Sequence, residues 1–451
     1  MIKLINFLIV SVTIISFAGC VTTKSHDHSQ HKKLKFGAPT EGMSTEEYQS
    51  LIFLDPQNTI RSDYHAVKGV NGNFLIDNQG QSTISVVNYY KGETVKKINL
   101  TDPPENPDFK MPEANKKGGN HHIWMIPGLR YAWSSQAYQK DIFWTIDLKT
   151  QKVVDTFRLS MNGKAVIAPL HVGFAYTKPL AVVGNIKDKK KGYLTLLSTA
   201  TRRPIDIVEI SCPGARDAMF SMDDSKVFTT CQNEPKGMAV IDVKARKEIK
   251  MVPIKGGRAG GMDAQGKYFM VSASKSVHIF DANTTDHVKT IKVPGGGGNF
   301  TCLKDGSKCY VGLRKANAVG VIDMEKLELM KVIETGPNGN RLYLNPANSR
   351  YGLFTNESGK SDIVSIIDTQ EDVKIKDIWT GLGPHNVAFD PTGKFAVIST
   401  KKENVATLVD TASTNPNDWD VITTDLDSGI QNNGVRWVPS PAALKRALAS
   451  N

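Results

Sequence analysis

From about residue 70 onward the chain repeats itself, and no other feature restricts its fold so strongly. Each unit opens on glycine, runs through an apolar strand, turns at Gly, Asp or Asn, and returns in a second strand. A loop, a strand ending in "ID" or similar, and a last strand complete it. GPHNVAFDPTGKFAVISTKKENVATLVDT and ARDAMFSMDDSKVFTTCQNEPKGMAVIDV follow this plan, as do GGMDAQGKYFMVSASKSVHIFDA and FTCLKDGSKCYVGLRKANAVGVIDM. Units open near residues 119, 168, 214, 256, 296, 336 and 381. A spacing of roughly 40 to 50 residues is that of a four-stranded propeller blade.

The two ends of the repeat region complement each other. NGNFLIDNQGQSTISVVNYYKGETVKKINL begins at what should be a second strand, and NNGVRWVPS near the C-terminus has the pattern of the missing inner strand. Pairing them closes a ring and leaves only short, protected edges. The expectation is an all-β fold: a single eight-bladed β-propeller over residues 70–440, with seven blades as the alternative and 441–451 as a C-terminal tail.

The N-terminus, MIKLINFLIVSVTIISFAGC, places a basic residue before an apolar run too short for a comfortable membrane span. Small residues leading into cysteine form a lipobox pattern, so residues 1–20 are expected to be a lipoprotein signal peptide with Cys20 lipidated. An ordinary signal peptide or an anchor helix is the alternative. Residues 21–69 follow as a polar tether, in which His26, His28 and His31 serve as spacer or as a loose metal catch. Ser44-Thr45-Glu46-Glu47 before YQSLIF is a capping-box pattern for a short helix. The expected location is the periplasmic side of the cell envelope, with the membrane reached through the lipid anchor.

Charge is 56 Lys+Arg against 45 Asp+Glu, a net +11. The basic residues fall in small groups such as Lys189, Lys190 and Lys191, with no aromatic interleaving and no nucleic-acid motif, so nucleic acid is not an expected partner. An anionic small molecule, a protein partner or anionic lipid suits the balance better. Four cysteines besides Cys20 fall into two local pairs, Cys212 with Cys231 and Cys302 with Cys309, each across a hairpin. Two disulfides are expected in an oxidising compartment. Free thiols or a metal site are the alternatives, and no CxxC spacing supports metal.

Aligning the units by their first turn places comparable residues where each inner strand begins. Round the ring these are His121 and His122, His171, Arg216 and Asp217, Arg258, Asn299, Asn340 and Arg341, His385, and Asn433. Inner strands of a propeller line its channel and their starts share one rim, so these residues should converge on one mouth. Imidazoles coordinate metals and guanidinium groups hold carboxylates or phosphates. His121 and His122 are the candidate metal ligands, because two adjacent imidazoles are unnecessary for a turn. Polar groups at strand entrances also satisfy loop carbonyls, the plainer role for His385 in its generic GPHNVAFDP phrase. His65, His278 and His287 read as ordinary surface or hairpin residues.

The blade phrases resemble those of the YVTN-type extracytoplasmic β-propellers over nearly all of residues 70–440. HHIWMIPGLRYAW and ETGPNGNRLYLNPANSRYGLFT are more narrowly similar to the haem-d1-binding propellers. That resemblance implies eight blades and a haem-like tetrapyrrole held by His121 or His122, with Arg216, Arg258 and Arg341 facing its carboxylates. Copper is the other cofactor that paired histidines suggest. No CxxCH occurs for an attached c-type haem, and GGGGNFTCLKDG stands where a d1 nitrite reductase carries an active-site histidine. Both departures argue against nitrite reduction.

Two functions follow from different classes. One is a lipid-anchored binding propeller whose His/Arg-rich mouth takes a ligand, cofactor or protein. The other is a d1-like haem- or metal-dependent redox or cofactor-biosynthesis protein. No nucleophile elbow, no Ser–His–Asp ordering and no paired carboxylates at the rim are legible, which leaves an enzymatic role without a catalytic set.

Overall fold

The computed structural model describes residues 72–101, 119–126, 130–136, 140–187 and 189–440. The expected signal peptide, Cys20, the tether with its short helix, and the C-terminal tail lie outside them. Among the described residues the chain forms thirty-two strands, numbered β1 to β32 in order, in eight four-stranded antiparallel sheets. The ring has eight blades, not the seven held as an alternative.

Ring closure takes the expected form. Strands β1 (Gly72–Asn78), β2 (Thr83–Asn88) and β3 (Glu93–Asn99) share one sheet with β32 (Asn432–Pro439), in the order β3-β2-β1-β32. Phe74 stands opposite Trp437 and Leu75 opposite Arg436 in the register. The joint joins strands more than 350 residues apart, so neither end presents an unpaired inner strand.

The turns that space the strands are specified locally. In DPTGKF the Asp390 carboxylate accepts from the backbone N–H groups of Thr392, Lys394 and Phe395. Gly393 takes a positive φ of 66° in the same turn, a conformation that costs glycine little. Outer strands such as β3 alternate exposed and less exposed residues, whereas the inner strands are buried along most of their length. Apolar side chains fill the wedges between blades. Trp133 stacks on Phe174 of the next blade with ring centroids 6.0 Å apart, and Trp124, Trp133 and Trp144 are fully buried. Each such side chain contributes on the order of 1.5–3 kcal/mol. Both expected disulfides are present, Cys212–Cys231 and Cys302–Cys309.

The inner strands are β4 (Asn120–Met125), β8 (Pro169–Phe174), β12 (Ala215–Phe220), β16 (Ala259–Met262), β20 (Phe300–Cys302), β24 (Gly339–Leu344), β28 (Pro384–Phe389) and β32. Five of them, β4, β8, β12, β24 and β28, carry a bulge at their start against the second strand of the blade. A bulge re-aims side chains at the rim of a sheet. Those five strands supply the histidines, Arg216 with Asp217, and Asn340 with Arg341.

Candidate metal centre

The bulge in β4 falls at the histidine pair. The pairing slips between His121 and Ile123, and His122 between them has φ of 62°, left-handed for a residue with a side chain. Three contacts hold it there. The His122 N–H donates to Asp77 Oδ2 at 3.0 Å, Ser134 Oγ donates to the His122 carbonyl at 3.1 Å, and Ser135 Oγ donates to the His121 carbonyl at 3.2 Å. The slip turns both imidazoles of a strand, which would otherwise face opposite sides, toward one place.

There they meet His171 from β8. Ring centroids are 4.2 Å apart for His121 and His122, 5.3 Å for His122 and His171, and 5.8 Å for His121 and His171. One ligand nitrogen from each lies within 4.8 Å of the other two. A tetrahedral ion with bonds of about 2.0–2.1 Å sets its ligand nitrogens about 3.4 Å apart, so the rings need to close by about an ångström. His385 from β28 stands beside the trio, its centroid 6.0 Å from that of His122.

Outer contacts orient the rings. His171 Nδ1 lies 2.6 Å from Asp217 Oδ1; when Nδ1–H donates to this carboxylate, the lone pair of Nε2 is available to an ion. Asp217 is itself fixed by Arg216 Nη1 at 2.6 Å and by the Gly260 N–H at 3.1 Å. The side-chain amide of Asn433 meets His121 Nδ1. An amide presents either its oxygen or its nitrogen by rotation; with the oxygen inward, Nδ1–H donates and Nε2 is again the ligating atom. His122 Nδ1 is buried without a hydrogen-bond partner, against the backbone of Gly434.

The protonation states suit a cation. Burial, followed by the neighbouring imidazoles and basic groups, pushes His121 and His122 well below the usual histidine range. Burial also lowers His171, partly offset by Asp217, and takes His385 down to about 4 against the pull of Glu357. Burial raises the Asp217 carboxyl, but Arg216 and His171 outweigh it and hold it below the usual carboxylate range. Asp77, behind His122, is pushed up to about 7 by burial despite the N–H groups of Gly434 and His122. At neutral pH the centre therefore offers neutral imidazoles.

The cavity at the histidines measures about 200 Å³. All the inner-strand residues expected at the mouth from His121 through His385 line it, except Asp217, which lies behind His171. Asn433 touches it through His121. The candidate pair read from the sequence, His121 and His122, is joined by His171. His278 and His287 are elsewhere, in a hairpin of the fifth blade, with His278 between Ser276 and Thr290.

Gln232, Glu357 and Lys401 are among the lining residues that escaped the sequence reading. Each directly follows the second strand of its blade, β13 (Lys226–Cys231), β25 (Tyr351–Asn356) and β29 (Phe395–Thr400). Antiparallel pairing sets the end of a second strand beside the start of the inner strand, a signal that alignment on inner strands alone passes over. Glu357 brings to the mouth a carboxylate that the sequence reading did not name. It is held well below the usual glutamate range: burial raises it, but His385, Lys401 and Arg314 outweigh that. Its oxygens lie 2.8 Å from Arg314 Nη1, 3.0 Å from Lys401 Nζ and 2.7 Å from His385 Nδ1.

Ring and rim together define an eight-bladed β-propeller with an imidazole cluster at its channel mouth. No protein-family model and no curated protein matches the sequence. Among solved structures, the chain is similar to the dihydro-haem d1 dehydrogenase NirN in complex with DHE, at 14% identity and a TM-score of 0.60, over 84% of this chain and 76% of that one. It is also similar to apo AztD from Citrobacter koseri, at 11% identity and a TM-score of 0.57, over 82% and 99% of the two chains. At these identities the likeness is one of fold.

Proposed function

We propose that this protein is a metal-binding propeller that holds one divalent ion of the zinc–copper class at His121, His122 and His171 and presents it for exchange. The convergence of three imidazole nitrogens within 4.8 Å, from two blades, carries this reading. Three nitrogen ligands leave a fourth position for water, substrate or a receiving ligand. Borderline ions favour imidazole, and the neutral state of all three rings removes proton competition at neutral pH. Asp217 behind His171 supplies the outer carboxylate that raises ligand basicity. The lipobox at Cys20 supports attachment of the propeller to a membrane on its extracytoplasmic side.

A haem-like tetrapyrrole is the second reading, favoured by the fold likeness to a dihydro-haem d1 dehydrogenase solved in complex with DHE. The cavity at the histidines, about 200 Å³, is below the 300–1,000 Å³ of ordinary small-molecule pockets, and a macrocycle there would have to extend past Gln232 and Arg258 into the adjoining recess. The size of the cavity favours the ion.

Titration of the purified full chain with Co²⁺, followed by visible absorption, separates the readings. The expected result is a one-to-one ligand-field spectrum of a four-coordinate ion, abolished in the His121→Ala/His171→Ala variant. A haem-induced Soret shift that needs the same histidines, with no Co²⁺ spectrum, would replace the metal reading with the second.

A further inference from the structure

A second recess opens on the same face as the histidine cavity, over the fourth to seventh blades. Its volume is about 360 Å³, within the range of small-molecule sites, and it shares Gln232 and Arg258 with the histidine cavity. Its chemistry is one-sided. Lys236, Arg258, Arg314 and Lys315 line it, and no Asp or Glu does.

The four cations differ in how they are balanced. Arg314 is neutralised by Glu357 at 2.8 Å. Arg258, immediately before β16, donates to the carbonyl of Gly297 and, among the described residues, has no carboxylate within ion-pair distance. Burial, then the like charges of Arg216 and Arg314, bring its pKa down to about 9. Lys236 and Lys315 likewise have no ion pair among the described residues. A half-buried guanidinium repelled by its neighbours gains most from an anion brought into contact with it.

Four glycines contribute to the wall of the recess. Gly256 has φ of 73°, and a side chain there would run into Ser274 Oγ at 2.5 Å. At Gly296 a Cβ would sit 2.0 Å from the Ala273 carbonyl oxygen. Glycine at these positions lets the backbone pack closely on Ser274 and Ala273, and Gly256, Gly257, Gly296 and Gly297 line the recess beside its cations.

We infer that this recess is a binding site for a small oxyanion-bearing molecule of two or more negative charges, a polycarboxylate or a phosphate compound, seated on Arg258 between Lys236 and Lys315. Arg258 supplies the planar fork that matches a carboxylate or phosphate edge, and the lysines act as point charges at either side. The site stands on observations independent of the metal reading, because none of the three ligand histidines lines it. Its position beside the metal cavity, across Arg258 and Gln232, lets an anion bound there sense or meet an ion at the histidines.

Calorimetric titration of the metal-free full chain at low ionic strength, with citrate and separately with inorganic pyrophosphate, tests the site. One-to-one saturable binding of at least one of them is expected, and whichever binds more tightly assigns the carboxylate or the phosphate source. Lys236→Glu/Lys315→Glu should weaken it at least tenfold and Lys236→Arg/Lys315→Arg should retain it. Lys152→Glu/Lys247→Glu, an equal change of net charge on outer strands, should leave it unaltered. The His121→Ala/His171→Ala variant should lose Co²⁺ binding and keep the anion, so failure of the metal reading remains separate. Absence of saturable binding for both anions, or equal weakening by the outer-strand charge reversal, would overturn the inference.

Discussion

Asp217 Oδ1 lies 2.6 Å from His171 Nδ1, and the same carboxylate is locked by Arg216 and by the N–H of Gly260. Strands β8, β12 and β16 of three consecutive blades thus combine to fix one imidazole. Outer carboxylates of this kind typically account for about 10–100-fold in metal affinity. Asp217→Asn keeps the volume and an acceptor for Gly260 but removes the charge. It is expected to lower Zn²⁺ affinity by that factor in a competition with a chromophoric chelator, with the far-ultraviolet circular dichroism unchanged. An unaltered affinity would remove His171 from the ligand set.

Acid should destabilise the metal-free protein earlier than it does most folds. His121, His122, His171 and His385 are all lowered in the folded state, so the unfolded chain binds more protons once the pH drops below about 6.5. Their contribution to stability is complete above that value and is lost as pH falls toward the folded values, about 4 for His385. The slope for each imidazole is up to about 1.4 kcal/mol per pH unit. Urea unfolding of the metal-free chain between pH 7.5 and pH 5, with stability flat over that span, would contradict burial of neutral histidines.

Gly434 touches the centre from the other end of the chain. A Cβ there would lie 2.6 Å from both His122 Nδ1 and Asp77 Oδ1. Gly434→Ala is expected to cost about 1–3 kcal/mol, as overpacking does, and to weaken the metal site by displacing His122. Thermal unfolding and the Co²⁺ spectrum report the two effects separately.

Glu357 balances Arg314 and Lys401 where both are partly buried. Glu357→Gln leaves those charges unpaired and should destabilise the fold by about 3–5 kcal/mol. Adding Lys401→Met removes one of the stranded cations and should restore part of the loss in chemical denaturation.

The fold was legible because the blades repeat one plan: a glycine opening, a turn at Gly, Asp or Asn, and apolar strands on either side of it. Closure was legible because NNGVRWVPS matches the inner strands it stands among. The mouth was legible wherever an inner strand carries the residue, as with His121, His171 and Arg341. Two things were not. Glu357 and Lys401 follow second strands and enter the site only through cross-strand pairing. The slip at His122 depends on Asp77, His122 and Gly434 meeting across the closed ring, and a left-handed histidine inside a strand has no local sequence mark.

Diffraction from crystals of the full chain grown with one equivalent of Zn²⁺, recorded above and below the zinc edge, addresses the metal centre most directly. A single anomalous peak is expected at about 2.0–2.1 Å from a nitrogen of each of His121, His122 and His171. Zinc located only elsewhere on the molecule, with the three rings still apart, would contradict a metal centre at the channel mouth.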